Sequence, residues 1–325
     1  MSVTYASPAA NGQAVTWRDR KRWAWSLSVV WPLIPLVGLW AHAATGHEAL
    51  LALPLLISYG LMPLLDALIG EDLNNPPEAV VPQLEADRYY RWLTWATVPL
   101  HFVALIACAW WVGTHDLPWW ALLLLAYVAG TDAGLGLNTA HELGHKHNRL
   151  EQLLARLVLA VPAYGHFTVE HGRGHHRWVA TPEDHASSRM GETIYRFALR
   201  ELPGGIRRAW ALEGERLRQA GQSPWSWHNT LLQSYAVTVV LQGGLIAAFG
   251  WVMLPFLAVH NVVAWWQLTS ANYVEHYGLL RQRLPEREAR RQVERIANRL
   301  RDGNLPPAGE SRRHDDSIVL RMRGM

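Results

Sequence analysis

Two short runs of histidine set the chemistry open to this chain. In Asn138-Thr-Ala-His-Glu-Leu-Gly-His-Lys146, His141 and His145 stand four residues apart. On a helix both imidazoles then share one face, about one turn apart, which is a metal-chelating spacing. The same run fits the His-Glu-x-x-His pattern of zinc proteases, in which Glu142 would act as general base. The second run is Glu170-His-Gly-Arg-Gly-His-His176, where His171 and His175 repeat the spacing and His176 is offset by about 100°. A third segment, Asn272-Tyr-Val-Glu-His276-Tyr-Gly278, supplies a single further candidate. Ligand number separates the readings. A zinc protease needs two histidines and one more ligand, whereas five or six exceed one such site and suggest two metal ions. Imidazole suits Fe, Zn, Cu or Ni, so ligand type alone does not choose the metal.

Carboxylates near these runs are candidates for orienting the imidazoles from behind. They are Glu142, Glu170, Asp184, Glu275 and Asp132. The other histidines carry less. His42, His47 and His115 fall at the opposite membrane face, and His101 and His260 fall inside apolar segments where packing or hydrogen bonding is expected. His166 stays ambiguous, five residues before His171.

The elements that must position these groups are membrane helices. No Asp, Glu, Lys or Arg occurs from Gln219 to Val274, a run of 56 residues. An ordinary soluble domain, about 25% charged, would place roughly 14 charges there. Six segments are long and apolar enough to span a bilayer: approximately Ala24–Ala44, Leu50–Gly70, Thr94–Gly113, Pro118–Leu137, Thr230–Gly250 and Val252–Asn272. Trp and Tyr cluster at their ends, as at membrane interfaces. All 30 Lys and Arg lie before the first segment, between the second and third, between the fourth and fifth, or after the sixth. With six crossings these four regions share one side, which the positive-inside rule assigns to the cytoplasm.

The expected fold is thus an all-α integral membrane protein with six transmembrane helices and a cytoplasmic histidine-rich helical cap. Residues 1–22 form a cytoplasmic arm, whose first 16 residues are polar and small and expected to be disordered. Residues 23–284 form the membrane domain, with the histidine-rich cytoplasmic loop at 138–228, and 285–325 form an Arg-rich tail. The lone Cys108 excludes a disulfide framework within the chain and a cysteine-based metal cluster. Net charge is +3, but its confinement to membrane-flanking segments argues against a nucleic-acid partner.

These motifs, with Tyr164-Gly-His-Phe167, Val179-Ala-Thr-Pro-Glu-Asp184, Ser187-Ser-Arg-Met-Gly-Glu192 and Asn272-Tyr-Val-Glu-His-Tyr-Gly-Leu-Leu-Arg281, resemble the bacterial membrane alkane 1-monooxygenase (alkane hydroxylase) family. A weaker match in detail is to the broader fatty acid desaturase and hydroxylase superfamily. The resemblance runs from about residue 20 to about 284. It implies a multi-pass enzyme of the bacterial inner membrane, with both termini cytoplasmic. It implies two non-haem iron ions, O₂ as oxidant, rubredoxin as electron donor, an alkane drawn from the bilayer lipid, and a primary alcohol as product. It carries metal ligation to His141, His145, His171, His175, His176 and His276. A methyl C–H bond is too strong for acid–base catalysis, so a metal doing the oxidation is chemically sensible. Ala133, Gly134 and Gly136 are candidates to line an apolar substrate channel, with close helix packing as the alternative.

The resemblance stops near Leu284. Residues 281–325 contain no Phe, Tyr or Trp and 12 Arg. Family members carry a further histidine cluster here that supplies the last three ligands, whereas this chain has only His314, a possible extra ligand. An out-of-frame tail from near codon 285 and a genuine divergent tail lying on anionic lipid both account for this. Six matched ligands imply a metal site of incomplete occupancy. Two further functions stay open: a related hydroxylase or desaturase acting on aromatic methyl groups or fatty acyl chains, and a catalytically inactive membrane metal-binding protein.

Overall fold

A computed structural model describes residues 2–8, 14–146, 148–281 and 291. The chain opens on an antiparallel hairpin, β1 (Val3–Pro8) and β2 (Ala14–Asp19), with Tyr5 opposite Trp17. This corrects the expectation of a disordered arm. The cause is a distant anchor. Asp87 accepts from the Tyr5 hydroxyl at 2.5 Å and from both arms of Arg22 at 2.6 and 3.0 Å. The same carboxylate caps the next long helix by accepting from the Tyr89 amide at 2.8 Å.

The helices follow in order. They are α1 (Ala24–Leu33), α2 (Pro35–Thr45), α3 (Glu48–Ile69), α4 (Arg88–Thr114), α5 (Trp119–Gly144), α6 (Arg149–Ala160), α7 (167–178), α8 (Ile194–Gln219), α9 (Thr230–Phe249) and α10 (Met253–His276). A bend of 58° separates α1 from α2. Pro32 and Pro35 lie at that break, where each removes a backbone donor. Gly46, left-handed at φ 73°, ends α2.

Among the described residues, α3, α4, α5 and α9 are long and apolar enough to cross a membrane. The pair α1 and α2 adds a fifth crossing if it is one bent span. The last expected segment falls on α10, which has 24 residues but also carries His260, Asn261 and Gln267 and does not reach that apolarity.

Helix α5 is the central element. In its most apolar window 67% of residues are buried, against 6% for α3, whose Leu64, Leu68 and Ile69 point outward. Glycine sets how closely α5 meets α10. A Cβ at Gly130 would lie 2.6 Å from the His260 carbonyl oxygen, and one at Gly134 would lie 2.7 Å from Gln267 Cβ. Gly136 abuts the His101 ring at 3.2 Å, and Ala133 is buried in the core. These small residues therefore serve close helix packing and not a channel wall. Gly130→Ala is expected to destabilise the bundle by about 1–3 kcal/mol through overpacking. Thermal unfolding of the detergent-purified protein checks this, with Gly243→Ala, which meets nothing within 4 Å, as control.

Candidate metal centre

The last turn of α5 presents His141 and His145, and α7 folds back over them. The fold of α7 departs from the expected α-helical spacing. Residues Glu170–His175 form a π-helical turn, with i to i+5 periodicity. His176 is thereby brought to His171, their Nε2 atoms 2.9 Å apart. His171 stacks on His175 with ring centres 5.2 Å apart.

Four imidazoles converge through Nε2. His141 and His145 meet at 2.8 Å, His145 and His171 at 3.4 Å, and His171 and His176 at 2.9 Å. Donor atoms of His141, His145 and His171 all lie within 4.8 Å of one another. A hydrogen bond between two imidazoles satisfies one lone pair only, so a neutral cluster of four leaves others facing each other. A cation at the centre satisfies them together, and this donor set fits an imidazole-binding metal ion. Burial, followed by the neighbouring histidines His141, His175, His176 and His145, holds the His171 imidazole far below the usual histidine range. It is therefore neutral, with its lone pair available.

His175 and His276 form a second pair, ring centres 4.7 Å apart. Each is oriented through Nδ1. The His175 Nδ1–H donates to Asp184 Oδ2 at 2.9 Å, and the His276 Nδ1–H donates to the Asn272 carbonyl at 2.9 Å. The lone pair of each ring then lies on Nε2, the position open to a metal ion. All six expected ligands thus come together at one end of α5, from α5, α7 and α10. His314 lies outside the described residues.

The carboxylates divide. Asp184 is fully buried and also accepts from the Ser187 hydroxyl at 2.6 Å and from Arg208 at 2.8 Å. Burial works to raise its carboxyl, but the bonds from His175, Ser187 and Arg208 overcome this and hold it well below the usual range. Glu170 is buried against Arg208 instead of a histidine, and burial pushes its carboxyl up while Arg208 opposes. Glu142 is exposed and lies 3.9 Å from His141 Nδ1, too far for a hydrogen bond. Glu275 is exposed beside His276. Asp132 lies nine residues before His141 on α5, about 13 Å along the axis, and pairs with His101 at 3.4 Å inside the bundle.

Sequence reasoning missed Arg208, which ties Glu170 to Asp184, and Phe167, whose ring stacks on His171 at 4.8 Å. Arg208 is one of six Arg on α8, and nothing in the local sequence distinguishes it from the others. Phe167 carries no local signal beyond its place in the Tyr164-Gly-His-Phe run.

Residues 117–305 match the family model described as fatty acid desaturase. The chain is 54% identical over 268 residues to an alkane 1-monooxygenase of Ectopseudomonas oleovorans, covering 82% of this chain and 67% of that protein. It is 55% identical over 267 residues to alkane 1-monooxygenase 1 of Alcanivorax borkumensis, covering 82% and 66%. It is 40% identical over 266 residues to alkane 1-monooxygenase 2 of Pseudomonas aeruginosa, covering 81% and 70%. The chain thus spans about two thirds of the length of these relatives. Matched residues that take in both histidine runs, at identities of 40 to 55% over four-fifths of its length, establish that this chain belongs to the alkane 1-monooxygenase family within the fatty acid desaturase group.

Proposed function

We propose that this chain is a terminal alkane hydroxylase of the bacterial inner membrane. It crosses the bilayer six times, with both termini and the 138–228 region on the cytoplasmic side. It converts a medium-chain n-alkane, O₂, two electrons and two protons into a 1-alkanol and water. Rubredoxin supplies the electrons. The observation that carries this reading is the convergence of four imidazole Nε2 atoms, with a second oriented pair beside them, in a chain of this family. His141, His145, His171 and His176 would hold one iron ion, and His175 and His276 belong to the second. Bound iron supplies the oxidising power that a methyl C–H bond demands and that no side chain offers.

The chain's own residues prepare that chemistry. The low proton affinity of His171 keeps a lone pair directed inward. Asp184 and the Asn272 carbonyl fix the rings of His175 and His276 in the orientation that frees Nε2. Arg208 bridges the two buried carboxylates behind them and offsets part of their negative charge. A site at the end of apolar α5 suits an alkane arriving from lipid and a water-soluble electron donor arriving from the cytoplasm.

The test is turnover of the iron-loaded protein in lipid vesicles with n-octane, reduced rubredoxin and ¹⁸O₂. The expected product is 1-octanol carrying one ¹⁸O atom. Iron-loaded protein that consumes no O₂ under these conditions would instead be a membrane metal-binding protein.

A further inference from the structure

The chain leaves α7 through a turn that its residue type does not favour. Ala180 is left-handed at φ 61°, a region rarely taken by a residue with a Cβ, and it is buried. Such a conformation persists where its surroundings over-determine it, and outliers of this kind cluster at functional sites. Both sides of this residue are held. The Ala180 amide donates to Ser187 Oγ at 2.8 Å, and its carbonyl accepts from the Arg281 amide at 2.6 Å. The Arg281 side chain reaches the same turn. Its Nη1 donates to the carbonyls of Arg177 at 3.1 Å and Val179 at 3.4 Å. Arg177 lies in the last turn of α7, where carbonyls have no partner within the helix.

From this turn a continuous set of bonds leads to the metal centre. Ser187, which receives the Ala180 amide, donates its hydroxyl to Asp184 Oδ2 at 2.6 Å. That oxygen also receives the His175 Nδ1–H at 2.9 Å. Arg281 itself follows His276 by five residues. Between them Gly278, left-handed at φ 71°, turns the chain back, and its amide donates to the Ser188 carbonyl at 3.2 Å. The segment after α10 thus lies along the loop that carries Asp184.

We propose that Arg281 is a positioning residue for the metal centre. It fastens the segment after α10 to the end of α7. By fixing the carbonyls of Arg177, Val179 and Ala180 it holds the turn that places Ser187 and Asp184 behind His175. His175 comes from α7 and His276 from α10, so the same clasp governs how the two rings of the second pair face each other. Arg281 offers no lone pair to a metal ion, and its effect passes through the backbone of 177–180. The inference rests on the reading of these histidines as ligands, whereas the clasp is measurable without metal.

Ala180→Gly provides the decisive comparison. It removes the Cβ penalty at this φ, so the turn then needs less support from Arg281. The experiment compares wild type, Arg281→Ala and the double variant Arg281→Ala with Ala180→Gly, as full chains in detergent. Backbone hydrogen exchange is first followed by mass spectrometry on metal-free protein. In Arg281→Ala, exchange across 177–188 should quicken at least about tenfold, the scale of losing hydrogen bonds from a charged donor, while α5 stays as in wild type. The double variant should exchange more slowly than Arg281→Ala.

Co²⁺ is then titrated into the same samples and read by its visible absorption, which reports ligand geometry. Arg281→Ala should bind Co²⁺ about 10–100-fold more weakly, as when a group behind a ligand is lost, with an altered band shape at saturation. The double variant should recover both affinity and band shape. A general loss of stability would instead quicken exchange in α5 as well and leave the band shape unchanged. That result would overturn the proposal, as would Arg281→Ala matching wild type in exchange or in Co²⁺ binding, or a defect that Ala180→Gly does not repair. If exchange behaves as expected but wild type binds no Co²⁺, the metal-centre reading falls and the positioning role falls with it, while the clasp stands.

Discussion

His171→Ala is expected to remove alkane hydroxylation to below about one hundredth of the wild-type rate and to strip the protein of metal. The magnitude follows from its place in the cluster. His171 Nε2 is 3.4 Å from that of His145 and 2.9 Å from that of His176, so its loss removes the imidazole that stands between the α5 pair and His176. Even a partner standing behind a metal ligand is typically worth 10–100-fold in affinity or activity, and the ligand itself must exceed that. The fold should survive. The π-helical turn is also held by Glu170 and Arg173, through their pairs with Arg208 and Glu213. A ligand that binds only the folded state stabilises it by mass action. Thermal unfolding with and without a chelator separates the two effects. The wild-type midpoint should drop on chelation, and the variant should already sit at the lower value and not respond.

Asp184→Ala is expected to do more damage to stability than any single histidine loss. The carboxylate is fully buried and receives His175, Ser187 and Arg208 together. Truncation leaves the Arg208 charge with Glu170 alone and two buried donors without an acceptor. Breaking a buried ion pair from one side costs about 3–5 kcal/mol. Asp184→Asn distinguishes orientation from stability. The amide keeps the volume and can still accept at one oxygen, so it should fold. It holds the His175 Nδ1–H less firmly, and metal affinity should fall by about 10–100-fold. Chelator competition on both variants measures this. Equal metal affinity in wild type and Asp184→Asn would mean that His175 is oriented by packing alone.

The site was legible in the sequence to the extent that its information is local. The i, i+4 spacing of His141 and His145 requires only a helix, and α5 provides it. The spacing of His171, His175 and His176 pointed to residues that the fold does bring together, but for an incomplete reason. The turn widens to a π-helix, which brings His171 against His176, and no rule of helical periodicity anticipates that widening. The carboxylates show the same limit. Asp184 orients a ligand, while Glu142 faces solvent and Asp132 serves His101 inside the bundle, because adjacency in sequence does not say which face a side chain takes. Arg208 joins the site from a helix, 32 to 67 residues beyond the histidines of α5 and α7, only through tertiary packing. The hairpin at residues 3–19 was hidden similarly, since its anchor, Asp87, lies far along the chain. The long apolar helices were readable because burial in lipid demands a continuous apolar run. Helix α10 is the exception, since its polar residues face α9 and α5, as with Asn261 on Gln242 and His260 against Gly130.

Iron content per chain tests the central claim most directly, measured by elemental analysis of detergent-purified protein with zinc counted alongside. The hydroxylase reading, with four converging imidazoles and a second oriented pair to hold the metal, predicts at least about one tightly held iron per chain with little zinc, falling to background in His171→Ala. Protein that retains no iron after loading, or that keeps the same iron content when His171 is replaced, would contradict the account.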